Sequence, residues 1–157
     1  VGMGFAFAHH FASYDAGDAM MSYRQHYAPS AWRETPHAIL AVAAIVAETD
    51  AEAEQLASSS DLNRLRRDRG QFLPLPSVEE ALAYDYSDAE RASVLRNRGR
   101  LFVGSPSSVA EKLSPLIAAT HPDELMVITA VFDHEARKRS FAILAEIAPE
   151  LGMAKAA

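Results

Sequence analysis

Two adjacent histidines, His9 and His10, end a short apolar run, Gly4-Phe5-Ala6-Phe7-Ala8, and are followed by Phe11. An imidazole changes charge near neutral pH and accepts or donates a proton, so a histidine at a strand end is a natural ligand contact. The C-terminal ends of parallel strands are where α/β proteins bind ligands. Neighbouring strand residues face opposite ways, which predicts that only one of the two histidines looks into a pocket. An adjacent pair shares no face and has no second histidine at helical spacing, so metal ligation is not expected. The residue types alone place a ligand mouth at His9 to Phe11 and assign no catalytic residue.

Four other groups carry chemistry by type. Asp133-His134-Glu135 suggests an acid–base set, although an aspartate capping a helix explains it more simply. Arg64, Arg66, Arg67 and Arg69 suit a phosphate or an anionic substrate, but Asp61 and Asp68 beside them favour an ion-paired helix face. Gly104-Ser105-Pro106-Ser107 has the type of an anion-binding helix start without the glycines of a phosphate loop, and capping accounts for it. Trp32, Tyr27 and Phe11 fit either an aromatic wall over a flat ligand or ordinary core.

The elements that position these residues alternate. Phe5 to Ala8 is a strand, and Ala16 to His26 a helix with Ala19, Met20, Tyr23 and Tyr27 on one side. His37 to Ala47 is apolar and rich in Val and Ile, which predicts a strand buried on both faces. Thr49 or Asp50 caps a helix running toward Leu62 or Leu65. Residues 64–100 form a helical excursion, with Ser77 and Glu80 in capping-box spacing and Ser87 or Asp88 opening a further helix. Phe102 to Pro106 is a brief strand or turn leading into a helix with Val109, Leu113, Leu116 and Ile117 as its stripe. Glu124 to Val131 is the third substantial strand. Asp133 caps a last helix whose inward face is expected at Phe141, Leu144, Ala145 and Ala148, and the tail from Met153 is expected to fray. Strands alternating with helices imply parallel pairing in a single α/β domain.

Composition narrows the function. The chain of 157 residues is long enough for one core. A net charge of -6 argues against nucleic acid, which needs a basic surface. Absent cysteine removes thiolate catalysis and disulfides. The run Ala38 to Ala47 is about half the length of a membrane span, and no signal peptide is legible, so a cytoplasmic protein without membrane contact is expected.

Several strings also occur in a characteristic order: Gly4-Phe5-Ala6-Phe7-Ala8-His9-His10-Phe11, Tyr23-Arg24, Pro29-Ser30, Ala47-Glu48-Thr49-Asp50-Ala51-Glu52-Ala53, Val103-Gly104-Ser105-Pro106 with Val109, Asp123-Glu124-Leu125-Met126-Val127, and Phe132-Asp133-His134-Glu135-Ala136-Arg137 leading to Arg139-Ser140-Phe141. Together they resemble the C-terminal half of bacterial luciferase-like flavin-dependent monooxygenases of the group 1 type. The resemblance implies an α/β fold that is part of a (β/α)8 TIM barrel, its last three or so β/α units plus the excursion. It implies reduced FMN as cofactor, supplied by a separate NAD(P)H-dependent flavin reductase, O2 as co-substrate, and an aldehyde or other small organic molecule as substrate. It further implies a pocket wall of Phe7, His9, His10 and Phe11. A second reading is a non-catalytic flavin- or partner-binding module derived from such an enzyme. The early position of the first strand suggests the second half of something larger. Three strands expose sheet edges, so a homo-oligomer is expected.

Overall fold

The apolar run from Ala38 becomes the middle of a parallel sheet. The computed structural model describes residues 2–153. Its strands are β1 (Phe5–Ala8), β2 (Ala38–Val46), β3 (Leu101–Gly104) and β4 (Glu124–Ile128), and its helices are α1 (Ala16–Gln25), α2 (Asp50–Asp68), α3 (Val78–Ala83), α4 (Asp88–Arg98), α5 (Pro106–Thr120) and α6 (His134–Ile147). Residues 154–157, most of the tail expected to fray, lie outside the described residues.

All three other strands pair in parallel with β2. Ala41 pairs with both Ala8 and Met126, and Ala43 pairs with both Leu101 and Ile128. A strand has two edges, so β4 occupies one of them while β1 and β3 share the other, end to end. The segment expected as a brief strand or turn is therefore a fourth strand. It forms because β1 stops opposite Ala41 and leaves the edge from Ala43 to Val46 for another backbone to fill. The three β/α units remain β1–α1, β2–α5 and β4–α6, with β3 closing the excursion that interrupts the second.

Alternation along β2 separates its two faces. Ala38, Leu40, Val42, Ala44 and Val46 are buried under α1, α5 and α6, against Met20, Leu113 and Ile143 among others. Each fully buried large apolar side chain contributes about 1.5–3 kcal/mol. The opposite face is covered at one end, where Ile45 and Ala47 meet Ala53 and Ala57 of α2, and Ala41 is buried as well. Ile39 and Ala43 are only partly covered, so the expected burial on both faces fails at these two positions of the strand. Exposed Ala6 and Ala8 of β1 and Met126 and Ile128 of β4 share the parity of this open face.

Hydroxyls finish β2 where β4 runs out. The strand expected to reach Val131 ends at Ile128, opposite Ala43. Beyond it, Thr129 Oγ1 donates to the Ala44 carbonyl at 2.8 Å, and Ser140 Oγ accepts from Val46 N–H at 2.9 Å. Ser140 is fully buried, and α6 turns Ser140, Ile143, Leu144 and Ile147 inward. The stripe expected at Phe141, Leu144, Ala145 and Ala148 is thus rotated: Phe141 and Ala145 are exposed. The bond from Ser140 to β2 sets the helix's rotation, a constraint that apolar periodicity does not carry.

The excursion packs on α2 through a small cluster of Leu62, Leu65 and Ala81, flanked by Tyr84 and Tyr86. Arg98 pairs with Asp61 through two bonds of 2.7 and 2.8 Å. Ser77 caps α3 as expected, yet the reciprocal capping box forms at Ser87 and Glu90 of α4 instead. Glu80, the matching acid on α3, is held by Arg66 at 2.6 Å.

A concavity at the strand ends

The ladder of β1 ends at the histidines. His9 N–H still donates to the Ala41 carbonyl at 2.9 Å, and then the chain turns, with the amides of Phe11 and Ala12 both bonding back to Ala8 at 3.0 Å. His10 Nδ1 lies 3.2 Å from the same Ala41 carbonyl. A carbonyl only accepts, so Nδ1 carries the proton and Nε2 of the neutral ring remains an acceptor. The His10 ring leans on Phe11, with centroids 4.3 Å apart. His9 instead stacks on Phe102 of β3 at 5.9 Å. Burial first, then the neighbouring Arg100 and His10, hold its pKa below the usual histidine value.

His10 and Phe11 are the part of the expected wall that faces open space. They border a concavity of about 540 Å³ together with Ala43, Leu101, Ile128 and Ala130, so the ends or flanks of all four strands contribute. His9 braces the wall from the β3 side. Phe7 stands apart: it is 2% exposed, shares the helix-covered face with its partner Leu40, and sets an edge against Tyr14 at 5.3 Å. Strand parity puts Phe7 in the core and the small Ala6 and Ala8 on the open face.

The far wall of the concavity comes from α2 and α4, and it is strongly cationic. Arg64, Arg67, Arg96, Arg98 and Arg100 line it against only Asp61 and Asp68. Arg64 pairs with Asp68 at 3.0 Å and Arg98 with Asp61, which uses both acids. Arg67 lies 5.8 Å from the ring centroid of Phe72, Arg96 bonds to Ser93, and Arg100 reaches the Phe11 carbonyl at 3.4 Å. No carboxylate among the described residues pairs with these three guanidinium groups. The ion-paired face expected for the cluster at 64–69 holds for Arg64, Arg66 and Arg69 but not for Arg67. Arg96, Arg100 and Phe72 escaped the sequence reading, because only folding brings α4 and the loop after α2 to one mouth.

The remaining candidates resolve into structure. Asp133 Oδ1 accepts from Ala136 N–H at 2.7 Å and is the cap of α6, outside the concavity. Ser105 caps α5, and Asp50 Oδ1 accepts from Ser105 N–H at 2.6 Å. That bond and the hydroxyls of Ser108 and Ser105 pull the Asp50 pKa below the ordinary value, so this helix start already holds its anion within the chain. Gly104 permits the approach: its φ of 151° is rare for other residues, and a Cβ there would lie 2.7 Å from Asp50 Oδ1. Trp32 is 93% exposed, Tyr27 packs on Tyr23, and Phe11 on His10, so the three aromatic rings form neither a shared wall nor a shared core.

No family model matches the chain. The uncharacterized protein YceB of Bacillus subtilis (strain 168) is 38% identical over 146 residues, covering 93% of this chain and 44% of YceB. A luciferase-like monooxygenase of Escherichia coli (strain K12) is 32% identical over 151 residues, covering 96% of this chain and 45% of its own length. The crystal structure of apo-MsnO8 superposes with a TM-score of 0.83 at 32% identity, over 96% of this chain and 46% of that one. The oxygenating constituent of 3,6-diketocamphane monooxygenase from Pseudomonas putida, a type II Baeyer-Villiger monooxygenase solved with FMN, shares the fold at a TM-score of 0.54 and 20% identity, over 94% of this chain and 42% of that one. The chain spans somewhat less than half the length of the relatives it matches.

Proposed function

We propose that this chain, which is similar over most of its length to a segment of a luciferase-like monooxygenase, forms part of an FMN-dependent monooxygenase acting on a small organic molecule. One observation carries the reading: a concavity at the C-terminal ends of β1 and β4 whose strand side includes the small side chains Ala43 and Ala130. Alanines leave depth that larger residues would fill, which suits a flat ring such as a flavin. His10 Nε2 offers an acceptor at the rim to an N–H of the cofactor or a hydroxyl of the substrate. The apolar contacts of Phe11 and Ile128 exclude water from whatever they cover. Bound reduced FMN supplies the two electrons that, with O2, place one oxygen atom in the substrate and release the other as water. In this reading the electrons come from NAD(P)H through a separate reductase, and the protein works in the cytoplasm. No helix among the described residues is long and apolar enough to cross a membrane.

The test is titration of the chain with FMN, followed by flavin fluorescence, and then assay with NADH, a flavin reductase, O2 and a medium-chain aldehyde. Saturable FMN binding and conversion of aldehyde to acid are expected. A chain that binds no FMN removes the flavin reading. Because less than half the length of the relatives is matched, a second reading stands beside the first: a flavin-binding module without turnover. Binding with no aldehyde consumed selects it.

A further inference from the structure

Resting on the flavin reading, we infer that the concavity takes an organic acid: an apolar body against the strand ends and an anionic head against the wall of α2 and α4. The apolar side is Phe11, Ala43, Ile128 and Ala130, and the opposite wall presents Arg67, Arg96 and Arg100 without carboxylate partners among the described residues. These three guanidiniums share one opening in a chain of net charge -6. Like charges crowded together repel, and a bound anion relieves that repulsion while accepting forked N–H bonds. Phe72, 78% exposed beside Arg67, adds apolar surface at the same mouth. The acid group and the phosphate of FMN share this chemistry. The opposition of the cations to an apolar floor assigns them to the organic ligand, not to the cofactor phosphate.

Calorimetry and NMR on the chain decide it, with octanoate and octanol as paired probes and FMN and riboflavin as a second pair. Octanoate is expected to shift the resonances of Ala43 and Ile128 and to bind about tenfold more tightly than octanol, with an advantage that fades as salt rises. Arg67→Gln combined with Arg96→Gln removes that advantage and leaves FMN affinity unchanged. Both side chains are exposed and neither holds an ion pair among the described residues, so the variant keeps its fold. Arg91→Gln, on α4 but outside the concavity, keeps the preference for the acid. Equal binding of acid and alcohol, or a preference that survives the double substitution, overturns the inference. A double variant that loses FMN but not riboflavin also overturns it, by giving the cations to the cofactor phosphate. Octanoate binding by a chain that does not bind FMN supports the acid site and removes the flavin reading.

Discussion

Ser140 completes the central strand from a helix. Its hydroxyl takes the Val46 N–H where β4 no longer reaches, in a position without solvent. Ser140→Ala leaves that amide buried and unpaired, which costs about 1–3 kcal/mol. The expected result is a lower urea midpoint with an unchanged slope, and a wild-type midpoint would show that another group satisfies the amide. The two histidines show the same dependence on one partner atom. The Ala41 carbonyl receives both the His9 amide and the His10 ring, so adjacent imidazoles with the same local sequence take different roles.

Among the elements, the excursion depends most on a single side chain. Glu90 of α4 accepts from Ser87 N–H at 2.7 Å and Tyr84 Oη at 2.8 Å, and it pairs with Arg69 at 2.6 Å. The hydrogen bonds from Ser87 come first among the causes that pull its pKa from 4.5 to about 2. A carboxyl depressed on folding contributes stability that is complete above its unfolded pKa and is lost as pH falls through the folded one. The docking of α4 on α2 should therefore weaken from about pH 4.5 toward pH 2. Near-UV circular dichroism of Tyr84 and Tyr86 reports it, and Glu90→Gln should flatten the change across that window while lowering stability at neutral pH. An unaltered acid profile in Glu90→Gln would assign the acid sensitivity elsewhere. The capping-box spacing occurs on both α3 and α4; it closes at Ser87 and Glu90, whose carboxylate also pairs with Arg69, and not at Ser77 and Glu80, whose carboxylate pairs with Arg66.

For the whole molecule, the decisive feature is a sheet covered by helices on one side and open over much of the other. Met126 and Ile128 are 53% and 44% exposed on that open face. Apolar surface and unpaired strand edges favour association with further chain. The isolated chain is expected to self-associate in sedimentation velocity as concentration rises into the micromolar range, and Met126→Lys should move it toward monomer. A wild-type chain that remains monomeric there would show that the open face tolerates water.

What the sequence determined by itself was local: the helix starts at Thr49 or Asp50, Ser77, Ser87, Ser105 and Asp133, the apolar strand within residues 37–47, and the end of the first strand at the histidines. Those signals are carried by residues within a few positions of one another, through caps, periodicity and β-branching. The order of strings also sufficed for the resemblance to luciferase-like monooxygenases. Tertiary structure alone decided which edge each strand takes, the rotation of α6, the burial of Phe7, and the meeting of Arg67, Arg96 and Arg100 at one mouth. Each of these depends on partners tens of residues away, such as Ser140 against Val46 or Arg100 against Phe11. Local pattern gives a side chain its period along an element, whereas the neighbouring strand or helix gives that element its phase.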